Sequence, residues 1–173
     1  MIKSVKELRK EGFVSVEGRP GVYTWWFRAN AVDILLKPLG KVDKSRLLCK
    51  NIKGEKYLAL YFGVAKNCCQ RAAWHMNQHH TVAAVKSSFL STLRHTLSAL
   101  LKKNISLSEE TVNQFMDDNC EWEWQYTASK EEAEEIEKQQ LNLNYYPLNI
   151  KGNQCVPKEF IKTLKSLRKK YKR

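Results

Sequence analysis

The stretch Tyr57–His75, YLALYFGVAKNCCQRAAWH, decides how the rest of the chain is read. Tyr57, Ala59 and Tyr61 alternate with Leu58, Leu60 and Phe62, so both faces of the segment are apolar or aromatic. Such a strand belongs in the middle of a sheet rather than at its edge. Gly63 is expected to break it, leaving Val64-Ala65-Lys66 as a short connection. Asn67 can then cap a helix, with Gln70 as its reciprocal partner three residues on. On that helix Arg71 and His75 stand four apart and share a face. A tyrosine at a strand end is thereby aimed at an arginine and a histidine.

Working outward, the upstream turn Arg19-Pro20-Gly21 leads into GVYTWWF (Gly21–Phe27), a strand dense in aromatic and β-branched residues. Ala31–Leu36 is expected to be a further strand, stopped by Pro38 and Gly40. Lys41–Lys53 is basic, and Lys53-Gly54-Glu55 has the form of a tight turn into the central strand. Residues 28–56 then read as an insertion between two paired strands. At the N-terminus Ser4-Val5-Lys6-Glu7 is a capping box for a helix through Lys10, and Phe13–Val16 is expected to be extended.

Downstream, Ser87 or Ser88 can cap a helix with an apolar stripe of Phe89, Leu90, Leu93, Leu97, Leu100 and Leu101. Arg94, Ser98 and Lys102 fall away from the centre of that stripe. Ser108 caps a third helix, and Cys120–Tyr126 alternates as a half-buried strand. Ser129-Lys130-Glu131-Glu132 is another capping box, opening a helix to about Leu141. Pro157 suits the first turn of a last helix with Phe160, Leu164, Leu167 and Tyr171 at helical spacing. Seven of the twelve residues from Lys162 onward are Lys or Arg, and this basic end is expected to fray. With no internal repeat and no Pro/Gly/Ser-rich linker, 1–173 reads as one α/β (α+β) domain, a small mixed or antiparallel sheet flanked by helices.

Hydrophobic content of 43% and charged content of 28% are ordinary for a soluble globular protein. No run of 18 apolar residues suggests a membrane span. Met1-Ile2-Lys3-Ser4 leads into charged sequence, so no signal peptide is expected. Five cysteines without C-x-x-C spacing are most simply reduced thiols of a cytoplasmic protein. A net charge of +12 favours a polyanionic partner, with nucleic acid the commonest.

One charge is out of place. Glu131, Glu132, Glu134 and Glu135 occupy a solvated arc, but at about 100° per residue Glu137 falls among Ala133, Ile136 and Leu141. An inward carboxylate needs a cation, a metal or a ring of donors; a paired or rim-exposed glutamate is the plain alternative. Arg71 and His75 likewise have a plain reading as a solvated arginine and a structural histidine. Cys68, Cys69, His75 and His79 raise a zinc alternative, weakened because adjacent cysteines cannot easily face one ion. Nucleophilic catalysis by Ser/His/Asp or Cys/His has no local signature.

Gly21-Val22-Tyr23, Tyr61-Phe62-Gly63, Arg71, Ile136-Glu137 and Tyr146-Pro147-Leu148-Asn149, in that order, resemble the GIY-YIG nuclease superfamily over about residues 20–153. Ser87–Leu101 is similar to a helix of a bacterial branch of it. Val22 and Phe62 replace isoleucines, and 37 residues separate Tyr23 from Tyr61, more than is usual in that family. The resemblance implies a DNA endonuclease using one Mg²⁺ (or Mn²⁺) ion. It implies that Tyr23 acts as general base or water positioner, with Tyr61 completing the hydrogen-bond pair. Arg71 would serve the phosphate, His75 the phosphate or the tyrosines, Glu137 the metal, and Lys66, Arg94 and Asn149 the substrate side, with Asn149 bracing the site. A single carboxylate suits one metal rather than two. A homodimer is one route to cutting both strands.

Overall fold

A computed structural model gives the fold and describes residues 1–40, 42–87 and 89–172. The strands are β1 (Ile2–Ser4), β2 (Gly21–Arg28), β3 (Cys49–Ile52), β4 (Glu55–Ala65) and β5 (Cys120–Tyr126). The α-helices are α1 (Val5–Lys10), α2 (Ala29–Leu36), α3 (Cys68–Asn77), α4 (Val82–Lys86), α5 (Thr92–Leu100), α6 (Glu109–Asn119), α7 (Lys130–Leu143) and α8 (Lys158–Lys170). One antiparallel sheet has the order β1-β5-β2-β4-β3. The expected central strand β4 has β2 on one side and β3 on the other.

Both faces of the sheet are covered, which is why β2 and β4 are predominantly apolar between their ends. Tyr23, Trp25, Phe27, Leu58, Leu60 and Trp122 belong to the larger core, with α3, α5, α6 and α8 contributing to it. Val22, Trp26, Tyr57, Ala59 and Phe62 meet Ala133 and Leu141 of α7, and Tyr146, on the other face.

The insertion keeps Tyr23 and Tyr61 on neighbouring strands, since it ends in a hairpin. Lys53 and Gly54 both have positive φ (51° and 84°), the two-residue turn that matches strand twist. β3 and β1 escaped notice in the sequence because both are short.

Five expectations about the elements need correction, the fifth at Gly63. Ala31–Leu36 is helical: Ala31, Val32, Leu35 and Leu36 are buried while Ile34 is 73% exposed, a helical rather than a two-residue period. Phe13–Val16 is a turn, entered through positive φ at Gly12 (65°) and Phe13 (64°). The helix expected from Phe89 starts at Thr92 with Ser91 as its cap, Phe89 is 61% exposed, and α4 precedes it, capped by Thr81. Ser88, one of the two caps expected, lies outside the described residues. The basic C-terminal end is held: α8 reaches Lys170, buries Leu164, and Ile105 N–H donates to Tyr171 C=O (3.0 Å).

Gly63 does not end β4, which runs on to Ala65. It pairs with Tyr23, and an added Cβ there would lie 2.5 Å from the Tyr23 hydroxyl oxygen. Gly21 is similarly confined, with Gln125 C=O 2.3 Å from where its Cβ would be. Both glycines are close-approach positions inside strands.

Candidate active site

Strict alternation would put Tyr61 on the α7 face with Tyr57 and Ala59. A β-bulge prevents this. Trp26 pairs with Ala59 and Trp25 with Tyr61, leaving Leu60 as the extra residue. After it the parity reverses, and Tyr61 packs on the same core as Tyr23 and Trp25. Bulges re-aim side chains in this way beside functional sites. The Tyr23 and Tyr61 rings stack with centroids 6.3 Å apart.

Helix α3 brings Arg71 and His75 to the same place. Asn67 caps it as expected, its Oδ1 accepting from Gln70 N–H (2.9 Å). His75 is buried, with Nε2 2.8 Å from Tyr23 Oη and Nδ1 2.7 Å from Ser91 Oγ. Burial, with Arg71 and Arg94, holds His75 down to about 3, so it is neutral at pH 7. Burial raises Tyr23 well above the ordinary phenol value and raises Tyr61 as well, while Arg71 pulls both back. Arg71 lies over the Trp74 ring (5.3 Å) and makes no ion pair among the described residues. Lys66 is exposed at the β4–α3 junction.

The edge of β4 beyond β3 has its own closure. Leu148 N–H donates to Leu60 C=O (2.9 Å). Asn149 then acts as a surrogate strand: Phe62 N–H donates to its Oδ1 (2.9 Å), and its Nδ2–H donates to Phe62 C=O (2.7 Å). The Val64 backbone amide on the same strand is among the groups that lower the Glu137 pKa, against the larger effect of burial. Asn149 is therefore a brace of the site, its amide spent on backbone rather than offered to a substrate.

Glu137 is half-buried on α7. Burial raises its pKa, and Glu134 adds to that, with Arg71 opposing. It lines a cavity of about 650 Å³ together with Tyr61, Asn149, His95 and Arg168. Among the described residues it has no ion-pair partner, and no group of three acidic, His or Cys side chains is gathered for a metal. A lone half-buried carboxylate at the wall of a roomy cavity fits one hard cation whose other ligands are water and phosphate oxygens. The zinc set is not assembled: His75 is taken by Tyr23 and Ser91, and His79 by Glu109 (2.7 Å).

Arg94 is a correction. It is 0% exposed and cannot reach a substrate. Its Nη1 donates to the carbonyls of His75 (3.1 Å) and Met76 (3.0 Å), its Nε to His80 Nε2 (2.8 Å), and its Nη2 to Asn113 Oδ1 (2.7 Å). It clamps the C-terminal end of α3, where a cation is favoured, and so holds His75 in place. Ser91, His95 and Arg168 were missed in the sequence. Ser91 carried no signal beyond a capping preference, whereas Arg168 falls four residues after Leu164, on the apolar stripe of α8.

Residues 21–170 match the protein-family pattern described as the GIY-YIG catalytic domain. Comparison with curated proteins and with solved structures gave no match. The match covers nearly the whole chain, and Tyr61 and Glu137, two of the residues that carried the resemblance, line one cavity, so the chain belongs to the GIY-YIG family of nuclease domains.

Proposed function

We propose that the protein is a DNA endonuclease that hydrolyses phosphodiester bonds with one divalent cation, Mg²⁺ or Mn²⁺, held by Glu137. The observation that carries this reading is the convergence of Tyr61 and Glu137 on one cavity, with the hydrogen-bonded Tyr23–His75 pair in ring contact with Tyr61 and Arg71 near enough to lower the pKa of both tyrosines. A non-catalytic binder has no use for a half-buried carboxylate beside an incoming polyanion.

When bound, a divalent cation supplies charge neutralisation at the phosphate and at the leaving 3′ oxygen. The chain's own residues do the rest. Arg71 presents its guanidinium fork to the scissile phosphate and to the charge that develops there. Tyr61 faces the cavity and holds the attacking water. Tyr23 stands behind it, 2% exposed, with Nε2 of His75 on its hydroxyl. With Nδ1–H donating to Ser91 Oγ, Nε2 is free to accept. The water's proton then leaves through the tyrosine pair to His75 as the water oxygen bonds to phosphorus and the P–O3′ bond breaks. Burial is the main reason His75 resists a proton, and an anionic phosphodiester nearby offsets the lesser contributions of Arg71 and Arg94. Lys66 holds a neighbouring part of the backbone.

The five free cysteines suit a reducing, cytoplasmic setting. Among the described residues no helix is long and apolar enough to cross a membrane. Cutting both strands takes a homodimer or two successive events. The test is supercoiled plasmid with Mg²⁺ or Mn²⁺: nicked or linear product is expected, lost with chelator and in Arg71→Ala. No product with either metal on any DNA form would overturn the proposal in favour of a binding module.

A further inference from the structure

Helix α8 carries a cation on its buried side. Phe160 and Leu164 are buried, and Arg168 continues their row at four-residue spacing. Arg168 lines the same cavity as Tyr61 and Glu137. Its Nη2–H donates to His95 Nδ1 (3.1 Å), while His95 Nε2–H donates to the Arg168 carbonyl (3.1 Å). This exchange fixes both the imidazole tautomer and the direction of the guanidinium. Burial and Arg168 hold His95 down to about 4, so the ring is neutral and able to accept.

What Arg168 lacks is an anion. Its Nε is buried without a hydrogen-bond partner, and no carboxylate pairs with it among the described residues. A half-buried guanidinium with a buried donor unused is costly unless something negative completes it. Exposed Lys151 and Lys172 line the same cavity, so with Arg168 it carries three cations besides the Glu137 carboxylate. A guanidinium fork is matched to a phosphate bidentately. Arg71 already serves the scissile phosphate from α3.

We propose that Arg168, oriented by His95, binds a second backbone phosphate of the nucleic acid, next to the scissile one. The subsite rests on the nuclease reading of this cavity.

The test is a binding cycle. A short labelled duplex is titrated without added divalent metal, with single phosphates replaced in turn by neutral methylphosphonates. Wild-type protein is expected to lose about tenfold in affinity when one linkage is neutralised. Arg168→Met, which keeps the apolar stem against α5, should lose about as much on native DNA and nothing further at that linkage. Its slope of log K against log salt should fall by about one. Arg168→Lys keeps the charge and gives a smaller coupling to the same linkage should the methionine variant not fold. Absence of coupling between any linkage and either folded variant would overturn the subsite. Cleavage is scored separately: coupling without cleavage keeps the phosphate subsite and sinks the nuclease reading, and cleavage without coupling does the reverse.

Discussion

An added Cβ at Gly63 would lie 2.5 Å from the Tyr23 hydroxyl oxygen and 2.6 Å from the ring carbon that bears it. The hydroxyl would have to move, and with it the hydrogen bond to His75. Gly63→Ala is therefore expected to cost about 1–3 kcal/mol of stability and on the order of 10²-fold in cleavage. Urea denaturation and plasmid cleavage read the two; unchanged cleavage would show that the Tyr23–His75 contact is dispensable. Asn149→Ala acts on the other edge of β4. It leaves Phe62 N–H and C=O without partners at a buried position, a cost of about 1–3 kcal/mol. Faster amide exchange at Phe62 is the signature, and exchange at the wild-type rate would deny Asn149 its bracing role. The motif glycines and tyrosines were legible in the sequence as residue types in order. Why the glycines are needed was not, because the atoms that crowd them come from Tyr23 and Gln125 across the sheet.

Among the elements, those with local signals were read correctly. Ser4, Asn67 and Ser129 each accept from the backbone amide three residues on and so cap α1, α3 and α7, with the reciprocal bond of a full capping box formed at Ser4 and Glu7 but not at the other two. The Lys53-Gly54 turn and β5 were also visible. Helix α2 was misread because a short apolar run does not separate helix from strand by pattern alone. The Leu60 bulge left no sequence trace, since register is settled by pairing with Trp25 and Trp26. It nevertheless decides which face Tyr61 joins. Arg94 falls away from the centre of its helix's apolar stripe, but the helix meets α6 as well as the core, which closes that side too. Arg94→Met would strand the His75 and Met76 carbonyls and His80. It is expected to destabilise by about 3 kcal/mol or more, while Lys66→Ala stays within about 0.5 kcal/mol and weakens DNA binding. Equal stabilities of the two variants in urea would contradict the assignment of Arg94 as a clamp.

For the whole molecule, three histidines set the acid limit. His75 is held down to about 3, and His80 and His95 to about 4, chiefly by burial. Their folded pKa values lie below the unfolded value, so the unfolded chain binds more protons as pH falls below about 6.5. Stability is thus full above that pH and declines from about 6.5 towards 4. Thermal unfolding from pH 7.5 to 4 should show Tm falling across this window, with a shallower fall in His95→Gln; a flat profile would contradict the buried neutral state. We read 1–173 as one folding unit, since β1 joins β5 across the chain and α8 packs on α5, and a single cooperative transition is expected.

The central claim is that Glu137 makes this cavity a metal-dependent phosphodiesterase site. The most direct measurement compares Mg²⁺-dependent plasmid cleavage by wild type and by folded Glu137→Ala under the same conditions. Cleavage by the wild type alone is the predicted result. Undiminished cleavage by Glu137→Ala would contradict it.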